Sequence, residues 1–564
     1  MLLQQLRDYS ERLELPPPMY LKTPITWLIE LDVNGNFRGF VATEGKGGKK
    51  DRGKEYLAPH VARSSGVRAK LLADTGEYVL GIAREKSRPE RVEECHRAFV
   101  DLVRTCAKET NEPSVAAVLR FLESADLKAL QLPGDFDPGD VLTFRVDGVM
   151  PIDLPSVKNF WASFATGQPD DQSASKPMQC LICGELRPAV KRLPIKIKRI
   201  PGGQTSGMAI ISANVPAFES YGLEASLIAP TCQDCGERFS KAANELIENE
   251  QTHITIGPIV YLFWTKQEHT FSFATLLSSP EPGEVKALMS SAFGGKETAA
   301  QLDTMPFYAT AFSASGGRVA VREWLDTTVE EAKRNLARYF ALQRIVERDG
   351  TEGKPLGLYA LASSTVRDAS KELPPNVPKA LLHVALKGGP LPMWLLFQAV
   401  KRNRAEQGIT RPRAALIKMV LRSQQDSDPM EETMIELDTS NRNPAYLCGR
   451  LLALLEAVQR AAIPGANTTI TDRFFGTASS APASVFGRLL RGAQAHLGKL
   501  RREKPGTHEA LQRKLEEVQA GLTTFPKTLT LEEQGLFSLG YYHQRAADRA
   551  AAIAYKQSQQ KETA

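Results

Sequence analysis

The stretch PAYLCGRLLALLEAVQRAAIPG, residues 444–465, carries the clearest helical pattern in the chain. Leu447, Leu451, Leu454, Leu455 and Val458 recur at the spacing that lines one face of a 3.6-residue helix, and Pro464-Gly465 closes it. Towards the C-terminus, Phe486, Leu489, Leu490, Ala493, Leu497 and Leu500 form a second stripe, and Leu511, Leu515, Val518 and Leu522 a third. Thr530 and Glu533 have the spacing of a capping box and open a fourth helix through 534–544. Four amphipathic helices with short connections predict a C-terminal α-helical bundle over 430–564.

Towards the N-terminus the periodicity changes. Helical patterning begins near 327; before it, MPFYATAFSASGGRVAVREWLDTT (305–328) reads as a hairpin turning at Ser315-Gly316-Gly317, and HITIGPIVYLFWTK (253–266) as one buried strand. PITWLIELDVNGNFRGFVAT (24–43) alternates on either side of Asn34-Gly35, which predicts strands at 25–32 and 36–43 joined by a tight turn. EYVLGIA (77–83) and VLTFRVDG (141–148) read as further strands, with helix over 88–130. The fold class expected is α+β: an N-terminal α+β domain over 1–170, a lobe over 171–250, a mixed strand and helical region over 251–425, and the bundle.

The lobe is set apart by its cysteines. Only seven occur in 564 residues, too few for a disulfide framework, and four fall into Cys180-Leu-Ile-Cys183-Gly184 and Cys232-Gln-Asp-Cys235-Gly236. Each pair can chelate one ion through two thiolates, and together they complete the four-sulfur set of a structural zinc site. Protein would fill all four positions, which argues against hydrolysis at this metal; neither pair has the strand-to-helix context of a redox CxxC. Cys95, Cys106 and Cys448 read as buried thiols.

Composition is that of a globular chain, 42% apolar and 24% charged. No apolar run approaches the roughly 18 to 20 residues of a membrane span, and charges interrupt the opening MLLQQLRDYSERLEL, so the expectation is a cytoplasmic protein with no membrane partner. The net charge of +6 is unevenly spread. Residues 46–70 hold eight basic and two acidic side chains, 185–200 six and one, and 450–564 sixteen and ten. Three such patches are the electrostatic footprint of a phosphate-binding surface. Between the cysteine pairs the basic run leads into Gly202-Gly203-Gln204-Thr205-Ser206-Gly207, a turn whose N–H groups suit phosphate oxygens although no Walker loop is present. The eight histidines are scattered, with no HExxH and no pair at ligand spacing, and there is no GxSxG elbow. The residues point to a binding protein rather than an enzyme.

Four stretches, VARSSGVRAKLLADTGEYVLGI (61–82), LPIKIKRIPGGQTSGMAIISANVPAFESYG (193–222), the run 443–490 and LEEQGLFSLGYYHQ (531–544), resemble the large subunit of the type I-C CRISPR effector complex, Cascade. The resemblance implies an N-terminal body that reads a protospacer-adjacent motif in double-stranded DNA, and a bundle along the displaced strand, with sequence choice left to guide-RNA pairing. It implies as partners a guide-RNA complex with backbone and RNA-processing subunits, separate copies of a small subunit like the bundle, started internally near Met430 or Met434, and a helicase-nuclease that does the cutting. Expected contacts with the duplex are Lys46, Lys49, Lys50, Arg52, Lys54, Arg63 and Arg68. Lys70 stands where the family usually has asparagine, a point charge in place of an amide that reads base edges. Lys196, Lys198, Arg199, Gly203, Gln204, Thr205 and Ser206 are a second set, Gln204 facing a base edge. Arg473, Arg488, Arg491, Lys499, Arg501 and Arg502 would hold single-stranded DNA through phosphates. The rivals are a zinc-dependent nucleic-acid-processing enzyme, which needs an open metal position, and a structural RNA-binding scaffold.

Overall fold

The computed structural model describes residues 2–43, 53–61, 63, 66–127, 129–167, 177–268, 271–293, 304–425 and 434–563. The class is α+β, and the chain divides into two compact units. The first comprises Met1–Arg199, Gly203–Glu245 and Ala314–Ala320, the second Ile200–Gly202, Leu246–Ser313 and Val321–Ala564.

In the first unit the order is α1 (Leu2–Ser10), β1 (Tyr20–Ile25), β2 (Trp27–Leu31), β3 (Phe37–Ala42), β4 (Lys54–Pro59), β5 (Ala73–Thr75), α2 (Gly76–Val79), α3 (Pro89–Thr110), α4 (Pro113–Ser124), β6 (Val141–Val146), α5 (Pro155–Gly167), β7 (Pro177–Gln179), β8 (Leu186–Pro188) and α6 (Gln233–Glu248). β2 is buried at every position but Glu30, which pairs with Arg145, and lies inside a sheet of order β3-β2-β6-β5, parallel to β6 and antiparallel to β3. The β2–β3 hairpin forms at the expected turn because Asp32 accepts the N–H groups of Asn34 and Asn36 while Gly35 takes φ +90°. Phe99 of α3, Phe121 of α4 and Phe144 of β6 meet in the core. Helix over 88–130 is interrupted at Asn111, which is left-handed, before Pro113 starts α4.

One strand expectation fails here. Residues 77–83 do not form a strand; Tyr78, Val79 and Leu80 are buried in succession, which a one-sided strand cannot do and the turn of α2 can.

The second unit contains β9 (His253–Ile256), β10 (Ile259–Thr265), α7 (Phe273–Ser278), α8 (Pro282–Phe293), all but the turn ends of β11 (Pro306–Ser315) and β12 (Arg318–Thr328), α9 (Val329–Gln343), α10 (Leu358–Ser363), α11 (Ala369–Glu372), α12 (Asn376–Lys387), α13 (Met393–Glu406), α14 (Arg411–Ser423), α15 (Pro444–Ala462), α16 (Ile470–Ala478), α17 (Phe486–Glu503), α18 (Pro505–Ala520) and α19 (Leu531–Thr563). Residues 253–266 are two antiparallel strands rather than one, because Gly257 at φ +56° turns the chain between them. They continue the β11–β12 hairpin into a sheet of order β12-β11-β10-β9.

The bundle is built around α15. Every residue from Ala445 to Glu456 is buried, so α15 is the axis that α16, α17, α18 and α19 surround, not a helix with one apolar face. Most of its polar atoms are paired inside: Arg450 Nε donates to Gln544 at 3.0 Å and Nη2 to Glu517 at 2.8 Å, and Glu456 accepts from Tyr541 at 2.6 Å. α15 and α19 meet backbone to backbone. A Cβ on Gly449 would lie 2.0 Å from the Phe537 carbonyl oxygen, and one on Gly540 would lie 2.1 Å from that of Tyr446. The capping box of α19 is present, with Thr530 N–H on Glu533 and Glu533 N–H on Thr530 Oγ1. α19 serves two cores: Phe537 and Tyr541 pack with the bundle, while Leu539, Tyr542 and Ala546 pack with α9, α12, α13 and α14. Among the described residues no helix is long and apolar enough to cross a membrane.

Candidate metal centre and nucleic-acid interface

The β7–β8 hairpin turns through Cys180–Cys183, with Gly184 at φ +79° and its N–H on the Cys180 carbonyl. Strand-like pairing of Val190 with Thr231 and of Ala189 with Cys232 brings this turn to the start of α6. There Cys232 and Cys235 sit one helical turn apart. All four Sγ atoms lie within 4.8 Å of one another, and Cys183 and Cys232 are 4.0 Å apart. Four sulfurs about 2.3 Å from a central zinc stand roughly 3.8 Å apart, so the cluster fits a tetrahedral ion. Burial raises the Cys180 thiol, but N–H groups of Cys183, Cys232 and Ile182 aimed at its sulfur outweigh this and bring it down to about 7. Burial pushes Cys232 and Cys235 up. A metal at this point would have four protein ligands and fix β7–β8 to α6.

The consequence of that joint runs along α6. Asn244, nine residues and some 13 Å beyond Cys235, donates from Nδ2 to the Lys196 carbonyl at 3.0 Å and accepts the Lys198 N–H at 2.8 Å. Ile197 between them exchanges two backbone hydrogen bonds with Met208, making a short basic hairpin. Gly207 closes it: its N–H meets the Gln204 carbonyl, its φ is +88°, and an added Cβ would strike Lys196 Cβ at 2.8 Å. Lys196, Lys198, Arg199, Gln204, Thr205 and Ser206 are exposed along this hairpin and Gly203 is half-buried. α6 is also anchored at its middle, where the buried Glu237–Lys241 pair receives Met19 N–H and donates to the Pro16 and Pro17 carbonyls.

The N-terminal basic segment comes to the same place. His60 Nε2 lies 3.2 Å from the Pro194 carbonyl, one hundred and thirty-four positions away. Burial, and after it the charges of Lys70, Lys198 and Arg63, depress its pKa to about 3. Lys70 is likewise lowered, by burial first and by Arg63 and Lys198, with Asp74 opposing. Arg63 faces inwards: it pairs with the buried Asp74, donates to the Arg68 carbonyl at 2.6 Å and lies 3.9 Å over the Tyr78 ring. Asp74 also receives the Lys70 N–H at 2.8 Å, so it organises the loop that bears Arg63, Arg68 and Lys70. Lys54 is exposed at the start of β4, its N–H on Thr43 Oγ1. Lys46, Lys49, Lys50 and Arg52 lie outside the described residues.

On the bundle, Arg473, Arg488, Arg491, Arg501 and Arg502 are exposed on α16 and α17, and Arg488 lies 5.5 Å over the Phe474 ring. Among the described residues none of these five is in an ion pair, whereas Lys499 is 3.8 Å from Glu503. Sequence reading did not single out Asn244, Asp74 or His60. A lone asparagine on a helix carries no local signal, and the partners of Asn244 and His60 are set by long-range packing, whereas those of Asp74 lie within eleven positions but in a loop without periodicity.

A comparison with protein families supplies the class: residues 3–548, nearly the whole chain, match a model described as CRISPR-associated protein. The chain belongs to the Cas_Csd1 family of these proteins. No curated protein matches it. Membership gives it a role in CRISPR defence, and implies an effector complex with RNA and DNA.

Proposed function

We propose that the protein is the large subunit of a type I-C surveillance complex, without chemistry of its own. It reads the protospacer-adjacent motif with its N-terminal unit, stabilises the displaced strand along α16 and α17, and helps recruit a separate helicase-nuclease. The observation that carries this reading is the contact of His60 with the Pro194 carbonyl, which brings the segment bearing Arg63 and Lys70 beside the one bearing Lys196 and Lys198, two basic segments far apart in sequence that come together in the first unit. Lys196 and Lys198, exposed beside a turn bearing Gln204, combine what phosphate positioning and base reading require. Zinc, held by Cys180, Cys183, Cys232 and Cys235, would act as a structural joint, because thiolates fill the four positions a tetrahedral ion offers.

Charge reversal tests it. The assembled complex carrying Lys196→Glu and Lys198→Glu should lose binding to a target duplex with its motif, by at least tenfold at physiological salt. Unchanged binding would remove the hairpin from the interface, and metal-dependent cleavage of DNA or RNA by the purified chain would favour the enzyme reading instead.

A further inference from the structure

The N-terminus of α14 opens onto a cavity of about 240 Å³ whose lining includes Arg348, Glu406, Thr410, Arg413, Arg545 and Arg549. α14 runs thirteen residues, and although Pro412 contributes no N–H to its first turn, the helix dipole at this end favours an anion. Thr410 does not cap it; the Thr410 hydroxyl accepts from Arg413 Nε at 3.1 Å instead. Arg413 is 3% exposed, and while its Nη2 donates to Glu406, its Nη1 has no hydrogen-bond partner among the described residues. A buried guanidinium N–H without an acceptor is destabilising, so Nη1 is a donor available to an acceptor that enters this pocket.

The surrounding carboxylates are already engaged. Glu406 is held by Arg402 and Arg413, Glu347 by Arg411, and Glu456 by Arg460 and Arg545. Arg348 and Arg549 are exposed at the rim, and among the described residues no ion pair holds either. Like charges crowd here: after burial, Arg545, Arg348 and Arg460 lower the pKa of Arg549. Arg348, Arg549 and the Nη1 of Arg413 face the pocket beside a helix N-terminus, while Glu406 and Glu456 are already engaged by guanidinium groups, an arrangement that suits a tetrahedral dianion or a phosphodiester.

We propose that this pocket is a phosphate-binding site, with Arg413 Nη1 and the α14 N-terminus at its floor and Arg348 and Arg549 at its rim. The phosphate belongs either to a nucleic-acid strand, tying the second unit to DNA or RNA at a place distinct from α16 and α17, or to a small phosphorylated ligand. The site does not rest on motif reading by the first unit.

The test uses the purified full chain and the variant Arg348→Gln/Arg549→Gln, whose exposed side chains leave the fold intact; Arg413→Gln is a second variant. Two probes are compared: inorganic phosphate against chloride at equal ionic strength, read as a melting-temperature increase, and a labelled 12-nucleotide single strand, read as affinity against salt. Phosphate should protect the native chain and not the rim variant. For the strand, affinity should fall on the order of tenfold and the log–log salt slope should flatten by about 1.4, two lost contacts at about 0.7 each. Loss of both effects identifies a strand phosphate, and loss of phosphate protection alone identifies a small ligand. If both folded variants keep full protection and full strand affinity, the site does not exist. Motif-duplex binding by the assembled complex is a separate measurement, so failure of that reading leaves both arms informative.

Discussion

Replacing Asn244 by alanine should free the basic hairpin from α6 without touching a cysteine or a lysine. The variant loses two hydrogen bonds, to the Lys196 carbonyl and from the Lys198 N–H. At about 0.5–1.5 kcal/mol each they sum to about 1–3 kcal/mol of local stability. If hairpin opening is what exposes these amides, hydrogen exchange at Ile197, Lys198 and Met208 should accelerate by about 5- to 150-fold. The same amides should accelerate when Cys235 is replaced by serine or when a loaded metal is chelated, because α6 is the connecting rod between the two places. Applying both perturbations should give less than the sum of the two, the signature of coupled sites. The comparison is made by exchange mass spectrometry on the zinc-loaded chain, with β2 and β6 as internal standards. Chelation that loosens residues 180–183 and 232–235 while Lys198 keeps its full protection would refute the mechanical link.

Other outcomes follow from the bundle and from its buried histidine. Gly449→Ala or Gly540→Ala puts a methyl group on a facing carbonyl oxygen and should cost about 1–3 kcal/mol or more, seen as a lower midpoint in chemical denaturation. Gly487→Ala, with nothing within 4 Å of its added Cβ, should instead stabilise by up to about 1 kcal/mol. His543 is fully buried beside Tyr446, and burial depresses its pKa to about 3. The unfolded chain therefore protonates this residue from about pH 6.5 downwards while the folded chain does not, so His543 contributes a loss of stability with acid of about 1.4 kcal/mol per pH unit between roughly 6.5 and 3, in addition to that from His60. Acid titrations of the wild type and of His543→Gln should diverge across that window; parallel curves would place the sensitivity elsewhere. Neutralising Arg488 and Arg491 should weaken the displaced-strand footprint of the complex while leaving the melting temperature unchanged, since both side chains are exposed.

What could be read beforehand was what is written in local spacing. The four cysteines declared themselves because a chelating pair needs two thiolates three positions apart, and the turns at Asn34-Gly35 and Ser315-Gly316-Gly317 because few residues tolerate such backbone. The Thr530–Glu533 box gave the start of α19 for the same reason. α15 was legible as a helix and misjudged as one-faced: Arg450 and Glu456 look like a solvated side, but Gln544, Glu517 and Tyr541 engage them from sixty-seven to ninety-four positions away. Residues 77–83 misled through composition, since a short apolar run is strand or helix according to which faces the rest of the fold covers. The meeting of His60 with Pro194, and of Asn244 with Lys196, depends on tertiary packing that no window of sequence contains.

The double allegiance of α19 bears on any shorter product of this chain. A polypeptide begun at Met434 would keep α15 through α19 and with them the closely mated Gly449 and Gly540. It would lose α9, α12, α13 and α14, and so leave Leu539, Tyr542 and Ala546, together with the ring of Tyr446, facing water. Such a strip is adhesive. A free bundle would therefore not be a self-sufficient copy of the one in the intact chain: it would arrive with an uncovered seam, and the seam would choose its neighbours.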